Sequence, residues 1–87
     1  MNKVALVTGG ARRIGKAIVE YLHKEGYRVA IHCCASRQEA IALSEKLNAK
    51  RVDSACVVEA DLRHTEHLKI IVKSVIDTWG RLDALVN

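Results

Sequence analysis

The sequence predicts an α/β fold: one half of a doubly wound parallel sheet, βαβαβαβ, with strands in the order 3-2-1-4. Three observations carry this. Strand-like and helix-like periodicities alternate without exception along the 87 residues. Each crossover is long enough to return a parallel strand. The first strand, Val4-Ala5-Leu6-Val7, is a continuous apolar run of the kind buried on both faces of a parallel sheet. Right-handed crossovers then set the strand order.

The elements follow in turn. After the Gly9-Gly10 turn, Ile14, Ala17, Ile18, Tyr21 and Leu22 recur at helical spacing, which assigns them to the core face of a first helix closed by Gly26. Arg28 to His32 reads as the second strand. Ser36-Arg37-Gln38-Glu39 has the form of a capping box, opening a helix with Ala40, Leu43, Ser44 and Leu47 on one face and Asn48 at its end. Ser54 to Glu59 is the third strand. Thr65 is placed as the cap of a third helix, whose stripe runs through Leu68, Ile71, Val72, Val75, Ile76 and Trp79 to a closing Gly80. Leu82 to Val86 is the fourth strand.

Composition narrows the class. The chain is 49% hydrophobic and 28% charged, a balance that excludes general disorder. No stretch approaches the roughly 18 apolar residues of a membrane span. Met1-Asn2-Lys3 leads straight into a strand rather than into a signal peptide's apolar segment. An odd number of cysteines, Cys33, Cys34 and Cys56, fits reduced thiols in a cytoplasmic protein. His32-Cys33-Cys34 has no second ligand pair at metal-site spacing, so no metal is expected. Charge is uneven: residues 1–52 carry ten Lys/Arg against four Asp/Glu, and residues 53–87 carry four against six. A basic half suits nucleic acid, a phosphate-bearing cofactor or a solvated surface. The arginines gather at one turn and no aromatics interleave to stack bases, which argues against nucleic acid.

That turn is Thr8-Gly9-Gly10-Ala11-Arg12-Arg13-Ile14-Gly15. Gly9 permits a tight turn, Gly15 permits close helix–strand packing, and the helix N-terminus offers amides and a positive dipole end to a pyrophosphate. No Gly-Lys-Ser/Thr follows, so the turn is not a Walker loop. The end of the second strand adds cofactor preference. An NAD-binding fold commonly places Asp or Glu there to hold the ribose 2′-hydroxyl. Here His32-Cys33-Cys34-Ala35-Ser36-Arg37 carries no acid, and Ser36 and Arg37, with Arg12 and Arg13, would accept a 2′-phosphate. NADP(H) is therefore expected over NAD(H). Asp61-Leu62, after the third strand, is a candidate for the adenine, Asp61 accepting a hydrogen bond from the amino group.

Together Thr8-Gly9-x-x-x-Arg13-Ile14-Gly15, Ala60-Asp61-Leu62 and Gly80 to Asn87 resemble the N-terminal part of the Rossmann-type short-chain dehydrogenase/reductase family, over the whole chain. Most members carry glycine at the position of Arg13. Arginine there, with Tyr27 to His32 and Leu43 to Asn48, is similar to pteridine reductases. The resemblance implies NADPH-dependent reduction of a pterin, with Arg13 between cofactor phosphate and substrate. It implies backbone contacts from Arg13-Ile14 to the pyrophosphate, His32 and Ser36 near the 2′-phosphate, and Asp61-Leu62 near the adenine. Thr8, Gly9, Gly15 and Asn87 complete the implied cofactor set. Pteridine reductases often carry arginine just before the matching serine, where this chain has Ala35; Arg37 would then stand in for it.

No catalytic residue is expected within the chain. The family's Tyr-x-x-x-Lys pair does not occur: Tyr21 has Glu25 at the lysine position, and Tyr27 has Ile31. The fourth strand would be an unprotected apolar edge. These features lead us to expect a single domain, residues 1–87, as the N-terminal cofactor-binding half of a longer polypeptide, inactive alone and homotetrameric in full. Alternatives are a short-chain reductase for another carbonyl compound, such as a 3-oxoacyl thioester, sugar or steroid, and a non-catalytic module binding nucleotide or no ligand at all.

Overall fold

Four parallel strands and three helices alternate along the chain: β1 (Val4–Val7), α1 (Arg13–Lys24), β2 (Arg28–Cys33), α2 (Arg37–Lys50), β3 (Ala55–Glu59), α3 (Thr65–Trp79) and β4 (Ala84–Val86). They come from a computed structural model that describes residues 2–87. The sheet order is β3-β2-β1-β4, as the crossovers require.

The pleat of the two central strands sorts the core into two layers. Val29, Ile31 and Cys33 of β2 and Val7 of β1 face α1 and α2, meeting Val19, Ala40, Leu43 and Leu47. Val4 and Leu6 of β1 and Ala30 of β2 face the other way, against Ile71 and Val75 of α3. Both layers are apolar because helices cover both faces, which is why β1 has no polar residue.

The first helix keeps only part of the expected face: Ile18 and Leu22 pack half-buried against the core. Ile14 is 78% and Tyr21 63% exposed, and Ala17 is exposed with them. At about 100° per residue these three lie opposite Val19 and His23, the residues that α1 buries. The helix is apolar on two sides, and periodicity cannot tell which one meets the sheet. In α3, Ile71 and Val75 are buried and Leu68, Val72 and Trp79 half-buried, whereas Ile76, at the edge of the arc, is exposed.

Several boundaries also differ. Thr65 is the first helical residue of α3, not its cap, and His64 holds the N-cap position. Ser36 is the N-cap of α2, but its side chain makes no capping bond; its carbonyl accepts the Ala40 amide at 3.0 Å, while Glu39 reaches Arg12. Asn48 does not end α2, which runs to Lys50. Its amide instead holds the following turn, accepting the Ser54 and Ala55 amides at 2.8 and 3.0 Å and donating to the Ala55 carbonyl at 2.9 Å. Ser54 thereby lies just outside β3. β2 runs one residue further than expected, to Cys33. β4 is shorter, because Leu82 turns into the α3 layer while Asp83 docks on β1. The Asp83 amide donates to the Val4 carbonyl and its carboxylate accepts the Val4 amide, both at 2.8 Å. Arg81 grips the same carboxylate, and these partners hold it below the usual carboxylate range. No described helix is long and apolar enough to cross a membrane.

At the opposite end of the sheet from the strand tips, His23 is buried with Nε2 at 2.7 Å from Ser54 Oγ. Ser54 in turn donates to the Arg51 carbonyl, so His23 supplies the proton of the shared bond. The Arg51 guanidinium donates to the carbonyls of His23 and Tyr27 at 3.1 and 2.6 Å, binding the end of α1. Burial, followed by the charges of Arg51 and Lys50, lowers the His23 pKa from 6.5. The unfolded chain therefore binds a proton that the folded chain resists. The His23 contribution is intact above pH 6.5 and declines as pH falls through that value towards the folded pKa. Urea melts between pH 7 and 5 are expected to show a steeper loss of stability than in His23→Gln, which keeps the donor to Ser54. Equal slopes would contradict this.

Candidate cofactor site

The turns that leave the strands at their carboxyl ends meet on one side of the sheet. Strand β1 runs into Thr8 and the glycine turn. The Thr8 amide donates to the Val86 carbonyl at 2.8 Å, and its hydroxyl lies 3.1 Å from that carbonyl and 3.2 Å from Asn87 Oδ1. Thr8 and Asn87 thus join the tips of β1 and β4.

Gly9 turns the chain with φ +63°, and no atom lies within 4 Å of where a Cβ would stand. Gly15 does the reverse. A Cβ there would lie 2.1 Å from the Gly9 carbonyl oxygen and 3.0 Å from the Gly10 Cα. Its smallness lets the helix sit on the turn itself, rather than on the strand as the spacing led us to expect. Arg13, at the helix start, has φ +55°, a left-handed conformation that most side chains avoid. The amides of Arg13, Ile14 and Gly15 open the helix and have no partner within it. With the dipole behind them, unpaired amides at a helix start suit an anion.

Beside the turn is a cavity of about 230 Å³, walled by Gly9, Ala11 and Arg12 on one side and by His32 to Ser36 on the other. Arg37 stands at the start of α2 next to it. Two carboxylates lie here: Glu59, which sequence reasoning missed, and Glu39, which it assigned to a capping box. Arg37 pairs with Glu59 at 3.0 Å and Arg12 with Glu39 at 3.7 Å. Glu59 could have been found from register, since it lies opposite Cys33 across β2 and β3. Both pairs are solvent-exposed, so each is worth only about 0–1 kcal/mol. Arg13 makes neither pair and is exposed.

His32 is only 6% exposed, and both ring nitrogens are engaged: Nδ1 with the Gly9 amide at 3.0 Å, Nε2 with the Ala60 carbonyl at 2.8 Å. Asp61, after β3, is held by Arg63, whose amide and guanidinium donate to both carboxylate oxygens. These bonds keep its carboxyl well below the usual range, fully ionised. Leu62 turns inward against the α3 layer. Burial raises Cys33, and burial with nearby Asp53 pushes Cys56 up to about 11. All three cysteines are free, and Cys34 is exposed at the cavity wall. Among the described residues no three His, Cys, Asp or Glu side chains converge as a metal site would need.

The strand order, the glycine turn and the anion-ready helix define a Rossmann-type α/β domain. The sequence model of the family described as short chain dehydrogenase matches residues 3–87, and the chain belongs to that family. It is 41% identical over 87 residues to the 3-oxoacyl-[acyl-carrier-protein] reductase FabG of Staphylococcus aureus (strain Mu50), covering all of this chain and 35% of that protein. It is 39% identical to pteridine reductase 1 of Leishmania tarentolae, over 97% of this chain and 35% of that protein. It is also 36% identical to the short-chain dehydrogenase/reductase homolog YusS of Bacillus subtilis (strain 168), covering all of this chain and 79% of that protein. The chain thus spans about a third of the length of the two reductases.

Proposed function

We propose that this chain forms the phosphate- and adenine-binding side of the cleft in an NADPH-dependent short-chain reductase. The observation that carries the reading is the glycine turn at the start of α1, with Gly15 pressed onto Gly9 and a cavity beside it lined by Arg12 and Ser36, next to Arg37. The residues fit a dinucleotide. The glycine turn leaves room where side chains would obstruct, and the donors suit phosphate. The amides of Arg13 and Ile14 would take the pyrophosphate, and Ser36 with Arg37 or Arg12 the 2′-phosphate. Asp61 and Leu62 would border the adenine. When bound, the dinucleotide supplies the hydride.

The substrate we favour is a pterin, with Arg13 reaching from cofactor phosphate to substrate. Its support is the arginine at a position most of the family gives to glycine, together with the similarity to a pteridine reductase. The second reading, a 3-oxoacyl thioester, draws on the similarity to a 3-oxoacyl-[acyl-carrier-protein] reductase. A cytoplasmic homotetramer belongs to the same proposal.

Calorimetric titration tests the cofactor. NADPH is expected to bind at least about tenfold more tightly than NADH, the equivalent of roughly 1.4 kcal/mol. Equal affinities would overturn the preference, and salt-sensitive RNA binding without NADPH affinity would overturn the class. Turnover of a dihydropterin against a 3-oxoacyl thioester by the full polypeptide separates the two substrate readings.

A further inference from the structure

We propose that His32 is a positioning residue: a buried clamp that sets the spacing between the pyrophosphate turn and the adenine turn, rather than a ligand of the 2′-phosphate. The inference rests on the cofactor reading above and deepens it. The ring stands at the end of β2, between the turns that leave β1 and β3. An amide N–H can only donate, so the Gly9 contact at 3.0 Å requires Nδ1 to be the acceptor. A carbonyl can only accept, so the Ala60 contact at 2.8 Å requires the proton on Nε2. The two partners therefore select one neutral tautomer and satisfy both nitrogens.

Two consequences follow. The ring has no lone pair or proton left for a cofactor phosphate. The Gly9 amide is likewise taken, and the Gly10 amide donates to the His32 main-chain carbonyl at 3.0 Å. A pyrophosphate is left the amides beyond Gly10, those of Arg13 to Gly15 at the helix start among them, and the turn presenting them is fixed through Gly9 to the strand end carrying Asp61 and Leu62. The main-chain bond to Gly10 survives any substitution of His32, so the side chain's part can be isolated.

The experiment compares His32→Ala, His32→Asn and His32→Gln with the unaltered protein, titrated with NADPH, NADH and ADP-ribose. Asparagine places an acceptor where Nδ1 stands and keeps the Gly9 bond. Glutamine reaches the Nε2 position and keeps the Ala60 bond. A clamp predicts that His32→Ala weakens all three ligands by a similar factor, about tenfold, and that each amide variant restores part of the loss. Loss confined to NADPH would show direct phosphate contact and overturn the proposal. A second readout needs neither ligand nor variant. Nitrogen-15 NMR of the imidazole ring should show Nε2 protonated and Nδ1 acting as acceptor, and the reverse tautomer would overturn the clamp. Should the unaltered protein bind no dinucleotide, the cofactor reading fails, and the ring tautomer still decides the clamp.

Discussion

Gly15→Ala is expected to cost the folded chain about 3 kcal/mol and to abolish dinucleotide binding in the same step. The added methyl would lie 2.1 Å from the Gly9 carbonyl oxygen and 2.8 Å from its carbonyl carbon. Both are backbone atoms, so no side chain can swing aside. Either α1 lifts from the turn or the turn itself moves. Gly9 is tied to His32 through its amide, and Gly10 to the His32 carbonyl, so the turn cannot shift without breaking bonds to β2. Lifting α1 draws Val19 out of the core it shares with Val7 and Ile31. The amides of Arg13, Ile14 and Gly15 are displaced in either case. Urea denaturation and calorimetric titration with NADPH measure the two effects. A variant that kept both stability and affinity would show that the close approach of helix and turn has no part in either.

Ile31→Ala is expected to destabilise the chain by about 2–5 kcal/mol, the cost of truncating a fully buried aliphatic side chain. Ile31 is completely buried in β2 one residue before His32, and its Cγ2 would lie 3.3 Å from a Cβ placed on Gly10. Its side chain is part of the floor on which the glycine turn rests. The cavity left behind removes contacts from Val7, Val19 and the turn together, and β2, hydrogen-bonded on both sides, cannot collapse to fill it. Unfolding followed by circular dichroism gives the loss directly. A change below about 1 kcal/mol would mean that the layer between α1 and β2 closes over the gap.

The sheet was legible because its signals are local. Val4 to Val7 declares a strand buried on both faces, the alternation of elements demands parallel crossovers, and handedness does the rest. The α2 face was equally clear, since Ala40, Leu43, Ser44 and Leu47 are the residues it buries. The glycine turn announced itself by its place between a strand and a helix. The face of α1 was not legible. Ile14, Ala17 and Tyr21 repeat as well as Ile18 and Leu22 do, and only the sheet beneath selects Val19 and His23. The partners of the arginines were hidden for a related reason. Glu39 and Glu59 come from different elements and meet Arg12 and Arg37 only when α2 and β3 are set beside the turn. His32 could be placed near the site by its position, but its two bonds span residues 23 and 28 positions away.

The sequence by itself therefore determined the element order, the strand order and the position of the glycine turn between β1 and α1. Each follows from backbone geometry and short-range pattern, which one stretch of chain contains. The tertiary structure alone decided which side of α1 is core, which carboxylates stand beside the arginines, and how His32 joins two turns. Those are contacts between residues distant in the chain, and their partners are chosen by packing and by hydrogen-bond satisfaction across the sheet, which no local pattern encodes.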